Sequence, residues 1–236
     1  MIKQYAQYAL TILISLWFTS VTAHGAQESP PIKVLAIGLE NGIKKLEILD
    51  AKLQSVGQLS LREFSYSKAF TGPIVEGKLL FGIADGLDKR GKPKFKQIAS
   101  FEWNDSNEKT ALLFIPKSLM AGSNQSTAEY IIQALDMNPV SYKLGHTRII
   151  NMTPHATLVR AGEHSISVAA WDRAEMPKVT DLNNMNMAQI DITYFEEGTE
   201  NNVYQTRMRY LDRIRYTIVI YSDLKNERIT SRIIKD

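Results

Sequence analysis

The sequence predicts an all-β protein built of antiparallel β-sandwiches, and three observations predict it. Apolar residues alternate with polar ones over most of the chain, the period of a strand with one buried face. Glycine, proline, asparagine and aspartate recur between the alternating stretches, where tight turns need them. Past the first 26 residues no stretch carries a helical period.

Those first residues read as an export signal. Lys3 precedes an apolar run from Ala9 to Val21, and Val21-Thr22-Ala23 fits the small-residue pattern of a cleavage site. The run is too short to cross a bilayer as a helix, which takes about 20 residues. The mature chain is therefore expected to start near His24 or Ala26, to lack a transmembrane segment, and to be periplasmic or secreted. With no cysteine in the sequence, disulfides, thiolate nucleophiles and thiolate-bound metals are excluded. A cysteine-free exported chain favours a bacterial envelope over a eukaryotic secretory route. The formal charge of +3 is too small for a dedicated nucleic-acid binder.

In the order of the chain, strands are expected at Ile32–Ile37, Leu59–Phe64, Leu79–Ile83, Phe101–Trp103, Leu112–Ile115 and Tyr130–Leu135, then at Ile149–Met152, Ile166–Ala170, Ala188–Tyr194, Tyr204–Tyr210, Ile218–Tyr221 and Arg228–Ile234. In Ala188–Tyr194 the residues Ala188, Ile190, Ile192 and Tyr194 share one face, and Gln189, Asp191 and Thr193 the other. The two halves run through a similar order. Phe101-Glu102-Trp103, a turn and Leu112–Pro116 match Met208-Arg209-Tyr210, a turn and Ile218–Tyr221, and each half then ends on a closing strand. A boundary near Asn138-Pro139 follows, giving a signal peptide (1–26), a first domain (27–137) and a second (138–236). Ala121–Thr127 becomes a loop of the first domain, Asp85–Pro93 a turn, and Asp172–Met187 a long irregular segment.

At the opening of the second half, Arg148-Ile149-Ile150-Asn151-Met152-Thr153-Pro154, followed by Ala156 to Gly162, resembles the start of small secreted immunoglobulin-like repeats of bacterial envelope proteins. Tyr216–Asp223 is similar to that family's penultimate strand. The resemblance covers residues 146–236; in the first half Ile37-Gly38-Leu39-Glu40 replaces the asparagine and proline. It implies two tandem immunoglobulin-like sandwiches and no assigned chemistry. Taken alone, the proline explains the motif by ending strand pairing.

Catalytic and metal motifs are weak. His146, His155 and His164 fall where a three-strand meander separates them, so no metal and no cofactor is expected. No Gly-x-Ser-x-Gly elbow is present, and Glu196, Glu197 and Glu200 crowd one turn. The positive signal is basic. If Tyr204–Tyr210 pairs with Ile214–Tyr221, alternation places Arg207, Arg209 and Arg215 on one outer face, and the closing strand adds Arg228 and Arg232. Like charges opposed on a sheet suggest an anionic partner. Arg207, Arg209, Arg215 and Arg232 are thus the candidate contacts for phosphate, sulfate or carboxylate groups. The function expected is a non-catalytic binding or structural module of the cell envelope, meeting an anionic polysaccharide or another envelope protein. A pilus-type chaperone acting by strand donation, and a hydrolase with a site built on Asp172–Met187, are the alternatives.

Overall fold

A computed structural model of the chain describes residues 28–36, 45–61, 65–104, 109–119, 130–223 and 226–236. The expected signal peptide and the Ala121–Thr127 loop lie outside the described residues. The strands are β1 (Lys33–Ala36), β2 (Lys45–Leu49), β3 (Ser55–Ser60), β4 (Lys78–Leu87), β5 (Pro93–Glu102), β6 (Thr110–Pro116) and β7 (Tyr130–Asp136), then β8 (Thr147–Met152), β9 (Thr157–Ala161), β10 (His164–Val168), β11 (Arg173–Met176), β12 (Met187–Glu196), β13 (Thr199–Arg209), β14 (Tyr216–Asp223) and β15 (Arg228–Lys235).

They form four sheets: β3-β2-β4-β5 (sheet I), β1-β6-β7 (sheet II), β11-β8-β14-β15 (sheet III) and β10-β9-β12-β13 (sheet IV). The two halves share one strand order. Sheet I repeats as sheet IV, and in both middle sheets the opening strand runs parallel to a late strand that also pairs with the last strand. Even the edge strand β11 has a counterpart. Beside β1, Ser67 N–H donates to the Val34 carbonyl (2.7 Å), and Phe70 exchanges both backbone hydrogen bonds with Ile32.

Three apolar cores separate the four layers. Val34, Leu112 and Phe114 meet sheet I; Ile149, Ile218 and Ile220 meet sheet IV. Their neighbours Leu35, Leu113, Ile115, Ile150, Val219 and Tyr221 point the other way, into a third core between sheets II and III. Strands buried on both faces cannot alternate with polar residues. That is why Leu112–Ile115 and Ile218–Tyr221 are unbroken apolar runs. Each fully buried Leu or Ile contributes about 1.5–3 kcal/mol relative to exposure, so the third core binds the halves into one stack.

Several expectations need correction. β2 was missed because Glu47 breaks the apolar pattern; its buried carboxylate accepts hydrogen bonds from Ser55 Oγ and Gln58 Nε2, each at 2.6 Å. β4 and β5 extend into the expected Asp85–Pro93 turn, leaving Asp88–Lys92 to reverse the chain, with Asp88 Oδ1 accepting the Arg90 and Lys92 amides. Asp172–Met187 is not wholly irregular, since it contains β11 paired with β8. The largest correction concerns β13 and β14, which do not pair. β13 joins β12, while β14 lies between β8 and β15. Tyr216 fixes this crossing between sheets: its hydroxyl accepts the Leu211 N–H (2.8 Å) and donates to the Arg209 carbonyl (3.1 Å). By contrast β12 and β13 form a true hairpin. Its two-residue turn, Glu197 and Gly198, has φ of 48° and 80°, the left-handed pair that a type I′ turn requires.

Candidate functional site

The third core has two flanks, and the chain closes them differently. On one flank Tyr66, from the segment bordering β1, is buried with its hydroxyl 3.2 Å from Thr217 Oγ1. Burial pushes this phenol up to about 12. Nearby Tyr142, fully buried on the link between the halves, donates its hydroxyl hydrogen to the Tyr216 carbonyl. The Arg148 guanidinium lies 4.0 Å from the Tyr142 ring centroid, and that of Arg215 5.3 Å. Arg148 donates to the Asp136 carbonyl (2.6 Å) and to Glu175 (3.0 Å). Arg215 donates to the Met137 carbonyl (2.8 Å) and Asp236 (2.7 Å), and Asp236 also holds Lys33 of the first half. Cations over an aromatic face, each with an anionic or carbonyl partner, make a polar seam in which the buried Arg215 Nε is left without a hydrogen-bond partner.

On the other flank, where β7 faces β8 and β11, a cleft of about 440 Å³ remains. Its apolar lining includes Ile115, Ile131, Ile150 and Met152, all drawn from the third core or packed on it. Gln133, Trp171, Asp172 and Arg173 supply the polar and aromatic lining. The volume falls within the range of about 300–1,000 Å³ typical of ligand sites, which favour junctions between packed units.

Trp171 is unusual on two counts. It is 41% exposed, and its φ is 60°, a left-handed backbone costing a bulky residue roughly 1–3 kcal/mol. Asn151 holds it there. The Asn151 amide Nδ2 donates to the carbonyls of His155 (2.7 Å), Ala169 (2.9 Å) and Val168 (3.3 Å). Its Oδ1 accepts from Thr153 N–H and Thr153 Oγ1, and its own N–H donates to the Asp172 carbonyl. Both ends of the turn carrying Trp171 are therefore tied to one buried residue, one end through its side chain and the other through its backbone N–H. The asparagine of the Asn-x-Thr-Pro motif has this as its structural reason; β8, an interior strand and not an edge, ends at Met152, two residues before Pro154.

The four candidate arginines are not gathered. Arg207 and Arg209 stand exposed on β13, on the side of sheet IV away from the second core, opposite Gln189 and Met187. Arg215 lies in the polar seam. Arg232, opposite Val219 on β15, has its guanidinium 6.0 Å from the Tyr221 ring centroid. A whole sheet and a core separate the two pairs, because β13 and β14 belong to different layers. Arg207 instead borders an open polar groove of about 540 Å³ with Arg160, Asp181, Gln189 and Asp191.

The three histidines are apart as well. His155 lies 5.3 Å from the Tyr194 ring and 3.8 Å from Glu196, and His164 Nε2 is 3.1 Å from the Lys178 carbonyl. Among the described residues no three His, Asp or Glu side chains are grouped as metal ligands, and no helix is long and apolar enough to cross a membrane. Sequence reasoning missed Gln133, Trp171 and Arg173. The unexplained asparagine of the motif was the one available pointer to Trp171.

No family model matches the chain, and no curated protein matches it either.

Proposed function

We propose that the protein is an exported, non-catalytic binding module of the bacterial cell envelope. In this reading residues 1–26 are a cleaved signal, and two tandem sandwiches of immunoglobulin-like layering (27–137 and 138–236) bind a partner in the cleft between them. Stacked, largely antiparallel sheets support this reading, with one parallel pair in each of sheets II and III. The order differs, since an immunoglobulin constant domain divides its second and third strands between sheets, whereas β9 and β10 share one.

The observation that carries the reading is the unequal closure of the third core, sealed by Tyr66 on one flank and open beside a strained, exposed Trp171 on the other. Apolar clefts with a few placed polar groups hold ligands, and backbone strain concentrates at functional sites. The test is titration of the folded protein with the uncharged apolar dye Nile red. One dye molecule should bind, Met152→Trp should abolish binding by filling the cleft, and Arg207→Gln with Arg209→Gln should leave it unchanged. Absent dye binding, or binding indifferent to Met152→Trp, refutes the cleft as the site.

Arg207 in its polar groove supports a second reading, contact with an anionic polysaccharide through Arg160, Arg207 and Arg209 on the outer face of sheet IV. Retention on a heparin-type column that falls with salt, and that Arg207→Gln with Arg209→Gln removes, is the result this reading expects. Equal retention of wild type and double variant excludes it.

A further inference from the structure

Resting on the cleft reading above, we propose that the cleft takes an extended, uncharged polypeptide segment, which adds as a strand along Ile131 to Gln133 at the edge of β7 opposite β6 and inserts a bulky apolar side chain into the third core.

Three features lead there. Ile131, Ile132 and Gln133 border the cleft in succession. Successive side chains of a strand leave on opposite faces, so all three can border one cavity only along the strand's edge, where backbone N–H and C=O groups lie. Among the described residues β7 pairs with β6 alone, which leaves its other edge a template for a further strand.

The second feature is continuity with the interface that joins the halves. Ile115, Ile150 and Met152 belong to the third core and also form the wall of the cleft. An apolar side chain entering between β7 and β8 extends a packed core that already exists. The opposite flank shows what such a filling is: there the ring of Tyr66, carried by an extended segment that hydrogen bonds to the edge of β1, is buried in the same core. The partner segment would do for β7 and β8 what Ser65–Phe70 does within the chain.

Third, the charges at the rim select against a charged occupant. Arg173 and Asp172 both line the cleft, and the Asp172 carboxylate accepts the Arg173 backbone N–H at 2.8 Å. One cation beside one carboxylate offers no net attraction to either sign. Trp171 adds an aromatic surface at the mouth, held in place by Asn151 and available to an apolar side chain.

The probe is a capped heptapeptide alternating threonine and valine, with phenylalanine at its centre, read by amide hydrogen exchange of the protein. At saturation, the amides among Ile131 to Gln133 that face away from β6 should exchange at least about tenfold more slowly, while those of β15, the equivalent closing strand, are unchanged. Met152→Trp should remove the protection; Trp171→Gly, which does not touch the core, should weaken it, so a folding defect in the first variant cannot decide the matter. The same peptide with aspartate at its centre should fail to protect. Unchanged exchange at β7, or equal protection of β7 and β15, overturns the proposal. So does a concentration-dependent doubling of mass without peptide that protects β7, which would make the occupant a second copy of the chain. If the dye binds the cleft but the peptide leaves β7 exchange unaltered, the strand is wrong and the binding site stands.

Discussion

The two halves of this protein fold by the same plan and end differently. In the first, the segment beside the opening strand is irregular, and its Tyr66 turns inward to seal the third core. In the second, the same place holds a regular strand, β11, whose first residues stay at the surface because Asn151 ties the preceding turn to the end of β8. One element is used as a plug and its equivalent as a lip. A repeated fold can thus build a single asymmetric site at the junction of its copies by changing one edge segment and the direction of its aromatic side chain.

That comparison can be broken in graded ways. The largest effect is expected from Tyr66→Ala. Removing a buried aromatic ring costs about 3–5 kcal/mol, and it should open the sealed flank, so that the dye titration finds a second site. Chemical denaturation and the dye stoichiometry check both halves of the statement. A stable variant with an unaltered stoichiometry would mean that Tyr66 is not the plug.

Arg215→Gln should cost about 2–3 kcal/mol, the scale of hydrogen bonds made by a charged group and lost in a buried setting. The substitution abandons Asp236 and the Met137 carbonyl at once. Arg207→Gln, by contrast, should change stability by no more than about 0.5 kcal/mol. Urea midpoints of the two variants decide this, and equal midpoints would return Arg215 to the outer surface expected from the sequence.

Trp171→Gly should change stability by less than about 1 kcal/mol, because glycine relieves the left-handed backbone while adding freedom to the unfolded chain. Thermal melts measure it. A loss of several kcal/mol would show the Trp171 ring to be structural, and remove the strain from the functional argument.

Glu163 should give the smallest effect. Hydrogen bonds from the Thr180 hydroxyl, and from the Asp181 and Thr180 N–H groups, hold its carboxyl at about 2 against an ordinary 4.5. The folded-state value is depressed, so the stabilisation is fully present above about 4.5 and is lost as the pH falls through about 2. Exposure keeps it below about 1 kcal/mol. Glu163→Gln should flatten the stability profile across that window, as read from denaturation midpoints at a series of pH values.

Much of the architecture was legible in the sequence. Alternation placed β12 and β13, and the matched order of the halves anticipated β5-β6-β7 against β13-β14-β15. What pairs with what was less legible. A short link such as Leu211–Arg215 serves a hairpin or a crossing between layers equally well, and the choice rests on the Tyr216 hydroxyl, which spacing does not reveal. The burial of Leu112–Ile115 on both faces was encoded in its unbroken apolar run, yet the second face belongs to sheet III, a partner from the other half of the chain. The candidate site was least legible. Trp171 acquires its backbone conformation from hydrogen bonds made by Asn151, twenty residues earlier, and β-strand periodicity says nothing about a turn.

All of this depends on the third core joining the halves in solution, since the cleft exists only where sheets II and III meet. Scanning calorimetry tests it most directly. If the core fuses the halves, the protein unfolds in a single transition whose van't Hoff and calorimetric enthalpies agree, and Tyr66→Ala lowers that whole transition. Two resolved transitions, with Tyr66→Ala moving one of them and sparing the other, would contradict the account.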